Sequence, residues 1–207
     1  MATAELRAII GLGNPGGEYA RTRHNAGFWF VDRLAEAART PFRVESKFHG
    51  ELARITLGGS EVLLLKPATF MNRSGQAVQA LASFYKLSPS AILIAHDELD
   101  LAAGDIRLKA GGGHGGHNGL RDIHRALGES YLRLRVGIGH PGDKNLVLNY
   151  VLGRPDKNDE QAILAALDAA ASAVETWLAR GWERATMQLH TKQRESGIGN
   201  RESKDPR

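Results

Sequence analysis

His24 and Asp97 are the residues of this sequence best suited to acid–base chemistry. His24 follows an irregular loop and precedes Asn25 at the start of a helical pattern, and an imidazole titrates near neutral pH, where a general base is useful. Asp97 closes an apolar run within Ile94-Ala95-His96-Asp97-Glu98-Leu99-Asp100. An acid at a strand end is placed to accept a hydrogen bond from a histidine, which sets the tautomer and raises the basicity of the ring. Taken singly, each has a plainer reading: His24 as a surface helix cap, the three acids as a solvated turn. A side-chain nucleophile to complete a triad is missing. Asn72-Arg73-Ser74-Gly75 does not fit G-x-S-x-G, and there is no cysteine. A His–Asp pair without a nucleophile implies an activated water and hydrolysis with no covalent intermediate.

Asn14, Asn72 and Asn118 each lie in a glycine-flanked or turn-like setting. A carboxamide both donates and accepts, so these residues could hold a carbonyl, position a water or stabilise an oxyanion, although any one of them alone reads as a turn residue. Gly111 to Gly119 has six glycines in nine positions, a composition that lets backbone approach a ligand closely. It carries His114 and His117, spaced as two metal ligands could be, but no third ligand is evident and no H-E-x-x-H or EF-hand spacing occurs. The G-K-[ST] ending of a phosphate-binding loop is also absent.

Gly11-Leu12-Gly13-Asn14-Pro15-Gly16 matches the dinucleotide fingerprint, with Asp32 about 20 residues on. Two features oppose a dinucleotide reading. Such a loop must run directly into a helix, whereas Gly17 to Arg23 lacks apolar periodicity. The ribose-binding acid should end a second strand, whereas Asp32 lies inside the helical stretch Phe28 to Ala38.

The elements that must position these groups alternate. Strands are read at Leu6–Ile10, Phe48–Leu57, Glu61–Lys66, Ala91–Ala95, Asp105–Lys109 and Leu132–Ile138, with Gly58-Gly59 turning the second onto the third. Helices are read at Phe28–Ala38, Gln76–Tyr85, Leu120–Leu127 and Lys157–Arg180, with a short piece near Ala185–His190. Alternation predicts an α/β fold, and the adjacent strand pair predicts a twisted mixed sheet flanked by helices. Open α/β sheets bind at the carboxyl ends of their strands. The turn after Ile10, His96-Asp97 and the glycine loop after Lys109 are all expected there.

At 207 residues the chain fits one domain, read as a catalytic unit over 1–190. The stretch 191–207 is polar and predicted to be a disordered tail. Hydrophobic residues make up 42 %, an ordinary globular value, and no uninterrupted apolar run reaches membrane-spanning length. The N-terminus does not read as a signal peptide. The absence of cysteine excludes disulfides and thiolate metal sites and suits the cytoplasm. A net charge of +4 permits a polyanionic partner without requiring one, so a non-catalytic RNA-binding protein stays open on these grounds.

Read together, several segments resemble the bacterial peptidyl-tRNA hydrolase family: Gly11 to Tyr19, Thr22-Arg23-His24-Asn25-Ala26-Gly27, Lys66-Pro67-Ala68-Thr69-Phe70-Met71-Asn72-Arg73-Ser74-Gly75, His96 to Asp100, Gly111 to Gly119, and Gly137-Ile138-Gly139-His140-Pro141. They occur in the family's order and span about 6–190. The resemblance implies a cytoplasmic monomer that cleaves the ester of peptidyl-tRNA and frees the tRNA, with no cofactor, metal, membrane or obligate protein partner. It implies His24 as general base, Asp97 as its supporting acid, and Asn14, Asn72 and Asn118 along the substrate cleft. Asn14 would distinguish N-blocked from free aminoacyl ends. Tyr19 and Phe70 match tRNA-end contacts, and Lys109 with Arg135 matches a basic pair for the tRNA 5′-phosphate. Leu101-Ala102-Ala103-Gly104 departs from the pattern by lacking a proline.

Overall fold

The computed structural model describes the backbone of residues 5–199 and the side chains of 5–190. Seven strands form one mixed sheet: β1 (Ala8–Gly11), β2 (Arg43–Glu45), β3 (Gly50–Leu57), β4 (Ser60–Pro67), β5 (Ile92–Glu98), β6 (Ile106–Ala110) and β7 (Leu132–Gly137), in the order β2-β3-β4-β1-β5-β7-β6. The four central strands run parallel, while β2, β3 and β6 are antiparallel to their neighbours. The central strands are buried on both faces, which is why Ala8–Ile10 and Ile92–Ala95 read as continuous rather than alternating apolar runs.

Helices cover both faces: α1 (Ala26–Ala37), α5 (Lys157–Arg180) and α6 (Trp182–Gly199) on one side, α2 (Ser74–Tyr85) and α3 (Asn118–Leu127) on the other. Phe30, Val31 and Leu34 of α1 pack with Ile163, Leu167 and Val174 of α5, while Val78 and Leu81 of α2 pack with Leu120 and Ile123 of α3. α5 is long and apolar enough by composition to cross a membrane, yet here it is a core helix whose apolar stripe lies on the sheet side.

The structure adds two elements to the sequence reading, the edge strand β2 and a short helix α4 (Val147–Val151). α6 continues past Thr191, where disorder was expected, to Gly199, through a stretch containing Lys192, Gln193, Arg194 and Glu195, all good helix formers. The rest of the expected tail, 200–207, lies outside the described residues.

The glycine loop departs from its expected place at the carboxyl ends of the strands. β6 is antiparallel, so its last residue, Ala110, pairs with Leu132, the first of β7. The loop therefore leaves the sheet at the amino ends of the parallel strands, not at the carboxyl ends. It reaches the cleft by crossing the sheet, with Gly111, Gly112, Gly115 and Gly116 all in the left-handed region that other residues adopt only with strain. Arg133 of β7 anchors the crossing by donating to the carbonyls of Gly112 and Gly113.

Candidate active site

A tight fit between backbones brings the segment that carries His24 to the sheet. A Cβ on Gly11, the last residue of β1, would lie 2.2 Å from the Gly27 carbonyl oxygen. One on Gly27 would lie 2.3 Å from the Ala95 carbonyl oxygen. Only glycine lets the first turn of α1 approach β1 and β5 this closely. The preceding 3₁₀ turn, Arg23–Asn25, is thereby pressed against the carboxyl end of β5. Gly11 thus serves helix–strand packing rather than a pyrophosphate.

Asp97 is buried at that strand end and accepts from two histidines. His24 Nδ1 lies 3.0 Å from each carboxylate oxygen, and His117 Nε2 lies 2.9 Å from Oδ1. Burial alone would raise the Asp97 pKa, but the facing His24 and His117 hold it well below the usual carboxylate range. An ionised carboxylate only accepts, so Nδ1 of His24 carries the proton and Nε2 is the nitrogen left to act as a base. Burial disfavours the charged imidazole of His24, but the charge and hydrogen bond of Asp97 outweigh it and raise the pKa above the ordinary value.

His117 has the opposite tautomer. It is the N-cap of α3, and its Nδ1 accepts from the backbone N–H groups of Gly119 and Leu120 at 3.2 and 3.3 Å. The proton is therefore on Nε2, where it is donated to Asp97. The sequence presents His117 only as half of a metal pair with His114; the signal that could reveal its other role is its N-cap position directly before Asn118. His96 is fully buried, donates from Nδ1 to the carbonyl of Asp97 at 2.8 Å, and has its pKa lowered to about 3 by burial and by His117.

His24, Asp97 and His117 place three metal-ligating atoms within 4.8 Å of one another. A cation could use them only if both hydrogen bonds to Asp97 were given up.

The asparagines divide. Asn14 is buried and doubly tied to Asn25: its N–H donates to Asn25 Oδ1, and Asn25 Nδ2 donates to its carbonyl, both at 2.9 Å. Its own Oδ1 accepts from the Met71 N–H at 2.8 Å, so Nδ2 is what it can offer a ligand. Asn118 and Asn72 line one small hollow with Arg121, Asp122 and Arg125, and Asn118 also borders the main cleft. That cleft, about 600 Å³, is bounded by His24, Asp97, His117, His140 and the Val147, Leu148 and Val151 side chains of α4. A second groove of about 490 Å³ lies beyond Asn14 and Asn25, between Phe28, Trp29, Lys66 and Pro67.

Tyr19 and Phe70 form an edge-to-face pair with centroids 6.4 Å apart, and Phe70 is 58 % exposed. Lys109 and Arg135 are not directly opposite each other: the register pairs Lys109 with Arg133 and Arg107 with Arg135, placing all four cations on one face of the sheet. Arg135 already donates from Nε to Glu98 at 2.9 Å.

The family model described as peptidyl-tRNA hydrolase matches residues 8–197. The chain belongs to the peptidyl-tRNA hydrolase family. A crystal structure of peptidyl-tRNA hydrolase from Acinetobacter baumannii is 50% identical, with a TM-score of 0.88, covering 91% of this chain and 96% of that one. The Arg119Gln mutant of the enzyme from the same organism has the same identity and coverage and a TM-score of 0.87. A peptidyl-tRNA hydrolase complexed with N-propanol matches equally at 0.87. The chain is accordingly a hydrolase of the ester bond in peptidyl-tRNA, and tRNA is part of its substrate.

Proposed function

We propose that this peptidyl-tRNA hydrolase attacks its ester with a water activated by His24 and forms no covalent intermediate. The observation that carries the reading is the orientation of His24: Nδ1 is bound by Asp97 at 3.0 Å, so the basic Nε2 is turned to the cleft side of the ring. No serine, threonine or cysteine is among the residues lining that cleft, which favours water over a side-chain nucleophile. His24 takes the water proton, Asp97 stabilises the imidazolium that forms, and the proton passes to the departing ribose oxygen. A positioned base of this kind contributes about 10²–10⁴-fold.

Asn14 supplies an N–H donor, and Asn72 and Asn118 supply further amides along the substrate path. A single oxyanion donor is worth about 10²–10³-fold. Phe70 and Tyr19 suit stacking with the unpaired tRNA end, and Lys109 with Arg135 suits the 5′-phosphate, with affinity that falls as salt rises. The same reading has the enzyme recycle tRNA from prematurely released peptidyl-tRNA. It takes the enzyme to be a cytoplasmic monomer without an obligate protein partner or cofactor, and the lack of cysteine agrees with a reducing compartment.

The test is a single turnover of N-acetyl-aminoacyl-tRNA in H₂¹⁸O, with acid-quenched enzyme examined by mass spectrometry. Direct hydrolysis puts one ¹⁸O in the released carboxyl and leaves the enzyme mass unchanged at every time point; an acylated enzyme overturns it. Folded His24→Ala turning over near the wild-type rate overturns the base assignment.

A further inference from the structure

The residue before the catalytic histidine is a buried cation whose hydrogen bonds all point away from the reaction. Arg23 is 9 % exposed. Its Nη1 donates to the carbonyls of Arg154 at 2.8 Å and Tyr150 at 3.3 Å, and its Nη2 lies 3.9 Å from Asp159. The guanidinium carbon sits 4.0 Å from the centroid of the Tyr150 ring. Tyr150 extends the linkage, donating from its hydroxyl to the carbonyl of Ile138 at 2.6 Å. Ile138 begins the loop that carries His140 into the cleft.

These bonds converge on α4. Tyr150 is in its last turn and Arg154 just beyond it, so the guanidinium satisfies carbonyls at the helix's carboxyl end, where a cation is favoured. The other side of α4 presents Val147, Leu148 and Val151 to the cleft opposite Asp97, and Leu148 is 65 % exposed. A five-residue helix has too few internal bonds to fix its own position. The backbone of the catalytic turn is held by a different bond, from the Arg23 N–H to the Gly153 carbonyl at 3.0 Å, which does not depend on the side chain.

We infer that Arg23 is a positioning residue: its side chain fixes α4 as the far wall of the cleft and so sets the aperture into which the substrate ester must fit. The inference rests on the reading that His24 and Asp97 mark the reacting centre. Lysine in its place keeps the charge but loses the planar fork that binds two carbonyls and stacks on Tyr150. α4 is then held loosely while His24 keeps its bond to Asp97.

The experiment compares wild type, Arg23→Lys, Leu148→Ala and the double variant on N-acetyl-aminoacyl-tRNA, with His24→Ala as the reference for the reacting centre. Arg23→Lys is expected to raise KM about five- to tenfold with kcat within about twofold of wild type and no displacement of the acid limb of the pH–rate profile. Leu148→Ala is expected to raise KM alone but to add little in the Arg23→Lys background, because the wall it belongs to is already displaced. Should the Lys variant be too unstable to assay, Arg23→Ala supplies the second arm: millimolar guanidinium chloride should lower its KM where equal sodium chloride does not. A fall in Tm with KM unchanged, additive effects of the two substitutions, or loss of kcat with a displaced acid limb each overturns the inference. If His24→Ala remains active, it is the reading of the reacting centre that has failed, and the KM of the Arg23 variants shows that separately.

Discussion

His24 and His117 bind one carboxylate with opposite ring nitrogens: His24 presents Nδ1 to Asp97 at 3.0 Å, His117 presents Nε2 at 2.9 Å, and their ring centroids are 5.1 Å apart. The asymmetry separates their chemistry. His24 has its second nitrogen available, whereas the second nitrogen of His117 is engaged by the first turn of α3. ¹⁵N spectra of the imidazole rings above the His24 pKa should show the proton on Nδ1 in His24 and on Nε2 in His117. The same tautomer in both would be incompatible with this hydrogen-bond scheme.

With His24 as the proposed base, its raised pKa predicts the pH dependence of turnover. A general base must be unprotonated, so kcat should fall as pH drops through the His24 pKa, with a midpoint above the ordinary imidazole value of about 6.5. Asp97→Asn removes the charge that raises that pKa. The acid limb should then move to lower pH while the plateau drops at least about tenfold, since the ring loses its orienting carboxylate. An acid limb that stays in place in Asp97→Asn would show that it reports another group.

Asn14→Asp tests which end of the Asn14 amide matters. The Met71 N–H can still donate to one carboxylate oxygen, so the local fold should survive. The Nδ2 donor, however, becomes an acceptor carrying charge. If that N–H meets the substrate carbonyl or the developing oxyanion, kcat/KM should fall about 10²–10³-fold. Steady-state rates beside a thermal melt decide the point, and a folded Asn14→Asp enzyme of near-normal activity would remove Asn14 from the site.

The sequence made the central strands legible because Ala8–Ile10 and Ile92–Ala95 are buried on both faces and therefore continuous in apolar character. It also made His24 and Asp97 legible as a pair, since one ends a loop and the other ends a strand. β2 was not legible: its three residues are Arg43, Val44 and Glu45 at a sheet edge, with Val44 exposed, so no apolar pattern marks them. α4 was hidden because it is only five residues long and divides its apolar residues, Val151 packing in the core while Leu148 faces the cleft, so no helical stripe marks it. The path of the glycine loop depends on the direction of β6, and strand direction leaves no trace in hydrophobic periodicity. The role of Arg23 depends on carbonyls more than 120 residues away in the chain.

Gly27→Ala should be among the most damaging single-methyl additions. Its Cβ would meet backbone atoms of Ala95 and Leu12 at 2.3 and 2.4 Å, and backbone cannot rotate aside as a side chain can. Overpacking typically costs about 1–3 kcal/mol, and a clash with the backbone of β5 and of the residue that follows β1 should reach or exceed the upper end. Denaturant unfolding would measure it. A loss below about 1 kcal/mol would mean that α1 can shift, and in that case turnover should fall as His24 moves with it.

His96 predicts how stability itself depends on pH. Its folded pKa is lowered to about 3, far below the unfolded value of about 6.5. Between these limits the unfolded chain binds a proton that the folded chain does not, so stability should decline as pH falls below about 6.5. His24 has the opposite sign: its raised pKa adds stability that is complete below the unfolded value and is lost as pH rises through the folded one. The two windows meet near the ordinary imidazole pKa. Unfolding free energies measured at intervals across that range should therefore pass through a maximum to which both histidines contribute. His96→Gln should flatten the acid side selectively, because glutamine does not titrate. An acid side as steep in His96→Gln as in wild type would assign the loss to the carboxylates instead.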